Sequence, residues 1–521
     1  MAASPTSDKP PSAISCKADV TVTSPSDWKY VSEGGATIVF SYAGPPNPQF
    51  DGTVLRLRKC PAPVLHRASS IQDAVIQEEP APMASQDPTS PAVITAEEIE
   101  EPDDPMIEYQ ARCMERLIPK VHLPRMESVR VERSWLERLR DLKDAERPPE
   151  RRAKDQIDVT RRKGVLATDL VGGDTIAVEI KPKWAFLPSP KHLSEATRGI
   201  KTRTCRFCMH AHMKRMQGEK VSNGYCPLDL FSGNPVRVRH AILTLWDAWV
   251  ESNATVNNLK IFVHGKTIHP NEQEKIFAPG AHGDAREAFA DAILPLLTET
   301  PVLKTLSKLQ RSLDVLDIEG LSKLWQYTEM MAPAYRTQFA QFFALPEDEE
   351  DYSISMPGSW PHPEPSAPLS PLSPLSPGMR TPSMPSDFRR RPTDPPTSPL
   401  GVSSQYLQEP EPTIDDWSSF LDTYLSPFIQ IDHAAPVPED LRFYLLAYLL
   451  SATFKDCSII VRMDLLGGEK QPGPVDPSRV TVIDLDPKSM KRLRKWEKLD
   501  QEIVEAYANV KDFRTCVDEG V

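Results

Sequence analysis

The chain has 521 residues, 40% of them hydrophobic, enough for several domains or one large enzyme with insertions and a sizeable core. A formal net charge of −12 argues against general binding to nucleic acid or anionic membrane, and no apolar run approaches a membrane span. The 53 prolines are clustered, which marks linkers, and eight cysteines are too few for a disulfide framework. A reduced intracellular protein, nuclear or cytoplasmic, is expected.

Residues 1–26, opening MAASPTSDKPPS, read as a loose tail with neither a signal peptide nor a myristoylation site. Residues 36–42, ATIVFSY, read as a strand, and 52–59, GTVLRLRK, as a second in which Val54 is followed by alternating Arg56 and Arg58. Just before the first strand, SEGGAT places Gly34 and Gly35 in a turn. Backbone N–H groups of such a turn can cover nucleotide phosphates, although this is neither a G-x-x-x-x-G-K-[ST] loop nor a full G-x-G-x-x-G. An acidic, proline-rich insertion at about 66–105 is expected to be disordered. Met106, Tyr109, Cys113 and Leu117 then fall on one helix face.

Apolar density returns at 165–170, and 175–180 is a strand candidate. Asn234-Pro235 opens a helix, with Asn as cap and Pro in the first turn, whose apolar face carries Val238, Ile242, Leu245 and Trp249. A short strand follows at 259–263, then helices over 286–297 and 302–343. Residues 350–412, with SAPLSPLSPLSPGMRTPSMP, cannot form a packed core and are expected to be a disordered insertion. Beyond it come a helix at 440–453, strands at 457–463 and 480–485, and a last helix from near Ser489.

Positive charge is concentrated. Between Lys181 and Lys220 ten Lys/Arg face only Glu195 and Glu219. In KSMKRLRKWEK, Lys488, Lys491, Arg492 and Lys495 recur at helical spacing, so one helix face is expected to carry them. Such clusters on an acidic background, with little aromatic interleaving, favour a compact, highly phosphorylated ligand over nucleic acid. The acidic partners lie nearby. Asp456 precedes one strand, Asp484 and Asp486 end the next, and antiparallel pairing would bring them to one edge. Carboxylates beside lysines suit phosphoryl transfer, one holding Mg²⁺ and one orienting or deprotonating a hydroxyl. Their bland alternative is turn capping.

Together YVSEGGATIVFSYAG, VLRLRK, VEIKPKWAFLP, CRFCMHAHMK, YCPLDLFSG, NNLKIF, KDCSII and DLDPK resemble the inositol-pentakisphosphate 2-kinases, in the family's order and over most of the chain outside the insertions. The resemblance implies an α+β, two-lobed, kinase-like fold: a nucleotide-binding lobe at 27–170 and a substrate and catalytic lobe at 171–515. It implies transfer of the ATP γ-phosphate to the 2-hydroxyl of inositol 1,3,4,5,6-pentakisphosphate, giving phytate, by a monomer that uses Mg²⁺. Lys181, Lys183, Arg206, His210, Lys214, Asn257, Lys488 and Arg492 match substrate contacts. Arg56 and Lys260 match nucleotide contacts, with lysine at Lys260 in place of an arginine. Asp456 matches the catalytic aspartate and Asp484 the Mg²⁺ ligand. Ser32 departs from the usual first glycine of the turn, Trp496 stands where a tyrosine is usual, and the hinge reads Asp169-Leu170.

Two alternatives stay open. A catalytically weak inositol-phosphate-binding scaffold would share the lysines but has no need of Asp456 and Asp484. Cys205 and Cys208, with Cys226, His210 and His212 nearby, offer ligands for structural Zn²⁺. With His210 assigned to substrate and no second C-x-x-C, reduced thiols are the favoured reading.

Overall fold

The computed structural model describes residues 18–62, 101–331, 411–468 and 474–519. The expectations for most of the tail and most of both insertions lie outside the described residues. The chain divides into two compact units: residues up to Ala111 with Pro124–Gly173, and Arg112–Leu123 with Asp174 onward. Among the described residues are thirteen α-helices and two sheets, a mixed α+β protein.

The first unit holds strands β1 (Ala18–Asp19), β2 (Trp28–Glu33), β3 (Thr37–Tyr42), β4 (Thr53–Pro61), β5 (Met126–Arg130), β6 (Asp155–Ile157) and β7 (Lys163–Thr168). They run β1-β5-β7-β4-β3-β2, with β6 paired to β4. Both strands expected here form, with Ile38, Phe40, Leu55 and Leu57 turned into the core. Helix Arg133–Lys143 adds Trp135, Leu136 and Leu139, on one face by 3.6-residue periodicity. Residues 18–26, expected to be loose, are part of this core. Val20 is fully buried, and Thr23 takes hydrogen bonds from both Trp28 Nε1 (2.9 Å, to Oγ1) and Trp135 Nε1 (2.9 Å, to the carbonyl). Burying two indoles requires partners for their N–H groups, and a Ser/Thr-rich segment supplies them.

The acidic insertion also ends earlier than expected. Glu101 pairs with Arg161 at 2.9 Å, Asp103 with Lys163 at 2.9 Å and Asp104 with Arg58 at 2.6 Å, before helix Pro105–Arg112 begins. Charge that reads as disorder is here neutralised by arginines and lysine of neighbouring strands and turns. The helical face read from Met106 to Leu117 breaks at Cys113 into a 3₁₀ turn, Met114–Arg116.

Residues Arg112–Leu123 pack with the second unit. Arg112 and Arg116 pair with Asp415 and Asp422, and the His122 Nδ1–H donates to the Val480 carbonyl at 2.8 Å. That unit's sheet runs β10-β9-β8-β11-β12, from β8 (Ile176–Ile180), β9 (Leu259–Val263), β10 (Lys266–Thr267), β11 (Ser458–Met463) and β12 (Val480–Ile483). Helix Pro235–Glu251 starts as its cap predicts, Asn234 accepting from the Val236 and Arg237 amides, and its four expected apolar residues are buried. Helix Ala285–Thr298 follows. The 302–343 region gives two helices, Val302–Leu313 and Asp317–Met331; the remainder lies outside the described residues. Helix Leu441–Asp456 is buried along most of its length and delivers its last residue to the start of β11.

Candidate active site

One end of the second sheet collects the chemistry. Ile459 of β11 pairs with Ile180 of β8, and Ser458 with Ile483 of β12, while Leu259 of β9 faces Ile180 from the other side. The segments entering or leaving at this end are therefore 181–183, 456–458, 484–486 and 257–258. Lys181 N–H donates to the Asn258 carbonyl at 3.0 Å, and Asn258 Nδ2 to the Lys181 carbonyl at 3.2 Å, which fixes half-buried Asn257 beside the lysines. The antiparallel hairpin inferred from sequence is present, and Asp456 and Asp484 flank its shared edge.

Asp456 sits between two lysines. Lys183 Nζ is 3.3 Å from Oδ1, and Lys488 Nζ is 2.9 Å from Oδ2. Burial alone would raise the carboxyl, but Lys183 and Lys488 outweigh it and hold its pKa down to about 2. Burial pushes Lys183 the other way, downward, with Asp456 opposing and Lys181 assisting. Asp484 adopts a left-handed backbone, φ 61°. Its Oδ2 lies 2.9 Å from Ser458 Oγ and 4.0 Å from Lys181 Nζ. The same Ser458 hydroxyl is 3.0 Å from Glu179 Oε1. One hydroxyl proton cannot satisfy two carboxylates, so the Glu179–Ser458–Asp484 group carries surplus acceptor capacity suited to a cation. Lys260, opposite Glu179 in β9, meets its other oxygen at 3.4 Å.

Arg206, His210 and Lys214 lie along helix Arg206–Met216 at the spacing that shares a face. The Arg206 guanidinium stacks 4.9 Å over the Trp184 ring and donates to buried Asp500 at 3.0 Å. Burial, and then the charges of Arg206 and Lys214, lower His210 to about 4, so it is neutral at neutral pH. Lys214 is more open and pairs with Glu219 at 2.8 Å. Not every cation in this cluster is available. Lys201 is buried between Asp317 and Asp500 at 2.5 and 2.8 Å, a structural charge.

The expected basic helix face is corrected. Lys488 and Lys491 precede helix Leu493–Ala508, because Ser489 caps a 3₁₀ turn, Met490–Arg492, that delays the start of the helix. Lys488 is thereby freed to reach Asp456, and half-buried Arg492 stands at the helix start. In the first unit, Gly34 and Gly35 are exposed in the β2–β3 turn, closed by the Gly34 N–H to Thr37 carbonyl bond at 2.9 Å. A Cβ at either glycine would meet nothing, so backbone and space leave that turn open to close approach. Arg56 sits in β4 between Val39 and Val165. In the expected hinge, Asp169 caps the Val171 and Gly172 amides, and a side chain at Gly172 would collide with that carboxylate at 2.4 Å.

Cys205, Cys208 and Cys226 converge, and Cys516 completes them. All four are buried and unoxidised, with their Sγ atoms within 4.8 Å of one another. The Cys205–Cys226 Sγ separation is 3.8 Å. That is far beyond a disulfide bond, and it equals the edge of a tetrahedron with metal–sulfur bonds of about 2.3 Å. The geometry suits a metal site and is equally that of four buried, reduced thiols. Sequence spacing pointed to three of the cysteines, and the fourth, near the C-terminus, has no motif around it. Trp184, Glu179, Ser458 and Asp500 were likewise missed, since each acts through contacts that leave no local pattern.

Lysines arrayed about paired carboxylates on a mixed α+β scaffold suit phosphoryl transfer, the chemistry of the kinase class of transferases. The inositol-pentakisphosphate 2-kinase family model matches residues 30–502, and the chain belongs to that family. It is 29% identical to the inositol-pentakisphosphate 2-kinase of Cryptococcus neoformans, over 94% of this chain and 96% of the relative. It is 28% identical to the Arabidopsis thaliana protein of that name, over 57% of this chain and 68% of the relative. The Danio rerio protein is 31% identical over 46% of this chain and 44% of the relative. No helix among the described residues is long and apolar enough to cross a membrane.

Proposed function

We propose that the protein transfers the γ-phosphoryl group of ATP to the 2-hydroxyl of inositol 1,3,4,5,6-pentakisphosphate, giving inositol hexakisphosphate and ADP, on a two-lobed kinase-like fold. The observation that carries this is Asp456 held between Lys183 and Lys488. A carboxylate with two lysine partners is masked until a polyanion competes for them. Substrate phosphates draw the lysines away, and the freed carboxylate then accepts a hydrogen bond from the attacking hydroxyl. Its basicity rises as the lysines leave, so it can take the hydroxyl proton as the new P–O bond forms and ADP departs.

In this reading Lys181, Lys183, Arg206, His210, Lys214, Asn257, Lys488 and Arg492 bind the inositol phosphates. Trp184 and Asp500 hold the Arg206 fork in place. Gly34, Gly35, Arg56 and Lys260 serve the nucleotide. The Glu179–Ser458–Asp484 acceptor group fits Mg²⁺, with Asp484 the ligand; the ion when bound neutralises phosphate charge. The four cysteines fit a structural Zn²⁺. Incubation with Mg²⁺-ATP and inositol pentakisphosphate, with products resolved by chromatography, should yield hexakisphosphate. A protein that binds pentakisphosphate without consuming ATP would be a scaffold instead.

Lys181→Ala and Lys214→Ala are expected to weaken pentakisphosphate binding more than ATP binding, each losing a charge-assisted contact of roughly 1.5–3 kcal/mol. Lys214→Ala should fall at the low end, because that lysine must first leave Glu219. Calorimetric titration with each ligand separately checks this, and equal losses for both ligands would remove these lysines from the inositol site.

A further inference from the structure

We infer that Gln310 is a positioning residue for the Lys183–Asp456 pair, an inference that rests on the kinase reading above. Gln310 belongs to helix Val302–Leu313 and is completely buried. A buried amide must satisfy one acceptor and two donors, and all three are engaged across two separate segments. Its Oε1 accepts from Ala185 N–H at 2.9 Å. Its Nε2 donates to the Lys183 carbonyl at 3.0 Å and to the Phe454 carbonyl at 2.9 Å. One side chain thus ties the backbone of Lys183 to the end of the helix that terminates in Asp456.

Each bond has a local reason. Lys183 has φ 68°, a left-handed conformation that a residue with a Cβ adopts only when its surroundings impose it. Bonds to the carbonyl of Lys183 and to the amide two residues later impose it. The Phe454 carbonyl lies in the last turn of helix Leu441–Asp456, where carbonyls lack helical partners. Gln310 is itself anchored, since Ser451 Oγ donates to its carbonyl at 3.0 Å. The next residue, Arg311, pairs with Asp518 at 2.6 Å, and Asp518 accepts from Leu187 N–H at 2.8 Å. Helix Val302–Leu313 therefore grips the 183–187 segment at both ends, directly through Gln310 and through Asp518. The 3.3 Å spacing of Lys183 and Asp456, residues 273 apart in sequence, is set where Gln310 spans them.

The test uses full-length Gln310→Met, which keeps length and burial but loses all three bonds. It also uses Gln310→Glu, which keeps the acceptor for Ala185 and loses both donors. Amide hydrogen exchange of the ligand-free protein should speed up at least tenfold at 183–187, with the first unit unchanged. Steady-state kinetics should show kcat down and KM for pentakisphosphate up, each at least fivefold, with KM for ATP within twofold. Should Gln310→Met not fold, Gln310→Glu carries both measurements. Unchanged exchange at 183–187 would overturn the inference whatever the wild-type activity. Faster exchange with unaltered kcat and KM would overturn it too, leaving Gln310 a purely structural group. A wild type that fails to phosphorylate pentakisphosphate sinks the kinase reading separately, while the exchange measurement still decides whether Gln310 anchors Lys183.

Discussion

Asp456→Asn is expected to lower turnover by roughly 10²–10⁴-fold while inositol pentakisphosphate binds as tightly as before or more so. An amide keeps the size of the side chain but cannot take the hydroxyl proton. It also releases Lys183 and Lys488, now at 3.3 and 2.9 Å from the carboxylate, to the phosphates. The pH dependence follows from the same geometry. The folded pKa of about 2 is below the ordinary carboxylate value. The stabilising contribution of Asp456 is therefore present above about pH 4 and lost as pH falls from there through about 2. Consequently kcat/KM should show no acid limb from this carboxylate between about pH 5 and 8, since that profile reports the free enzyme. Asp484→Asn should differ, weakening Mg²⁺-ATP binding with partial recovery of rate at high Mg²⁺ or Mn²⁺. Calorimetry with each ligand, beside product formation across pH, separates the two variants. Near-normal turnover in Asp456→Asn would remove this sheet edge from catalysis.

Chelation, or Cys516→Ser, should lower the melting temperature of the protein by about 5–10 °C, the second-largest effect expected. A metal present at a thousandfold over its dissociation constant stabilises the native state by about 4 kcal/mol, and each kcal/mol shifts melting by about 2 °C in a unit of this size. The stabilised parts are identifiable. Cys205 caps helix Arg206–Met216, which carries three proposed substrate residues. Cys516 lies in an irregular tail also held by its N–H to the Arg203 carbonyl at 2.8 Å and by Asp518. Elemental analysis should find one zinc per chain in the purified protein and none in a Cys205→Ser, Cys516→Ser double variant. Full stability after chelator washing, with no metal found, would return these residues to the status of buried thiols.

Much of the fold was legible because its signals are local. Short apolar runs, alternating in β4, placed β3, β4, β8, β9, β11 and β12 to within a few residues, and Asn234-Pro235 marked a helix start without reference to anything distant. The boundaries failed where a tertiary partner intervened. Residues 18–26 look like tail until two tryptophans need hydrogen-bond partners. The basic face from Lys488 to Lys495 looks continuous until Ser489 turns the chain.

By itself, the sequence determined which residue types would bear the chemistry and in what order: Lys181 and Lys183 leaving one strand, Asp456 and Asp484 at the ends of a hairpin, Arg206, His210 and Lys214 at helical spacing. Short-range periodicity and turn chemistry are enough for that. Tertiary structure alone decided which of these meet. Lys183 and Asp456 are 273 residues apart, Gln310 and Phe454 are 144 apart, and Cys516 joins a cluster begun at Cys205. Contacts at such separations exist only through the packing of the sheet and helices that carry them, and no short window of the sequence holds their pattern.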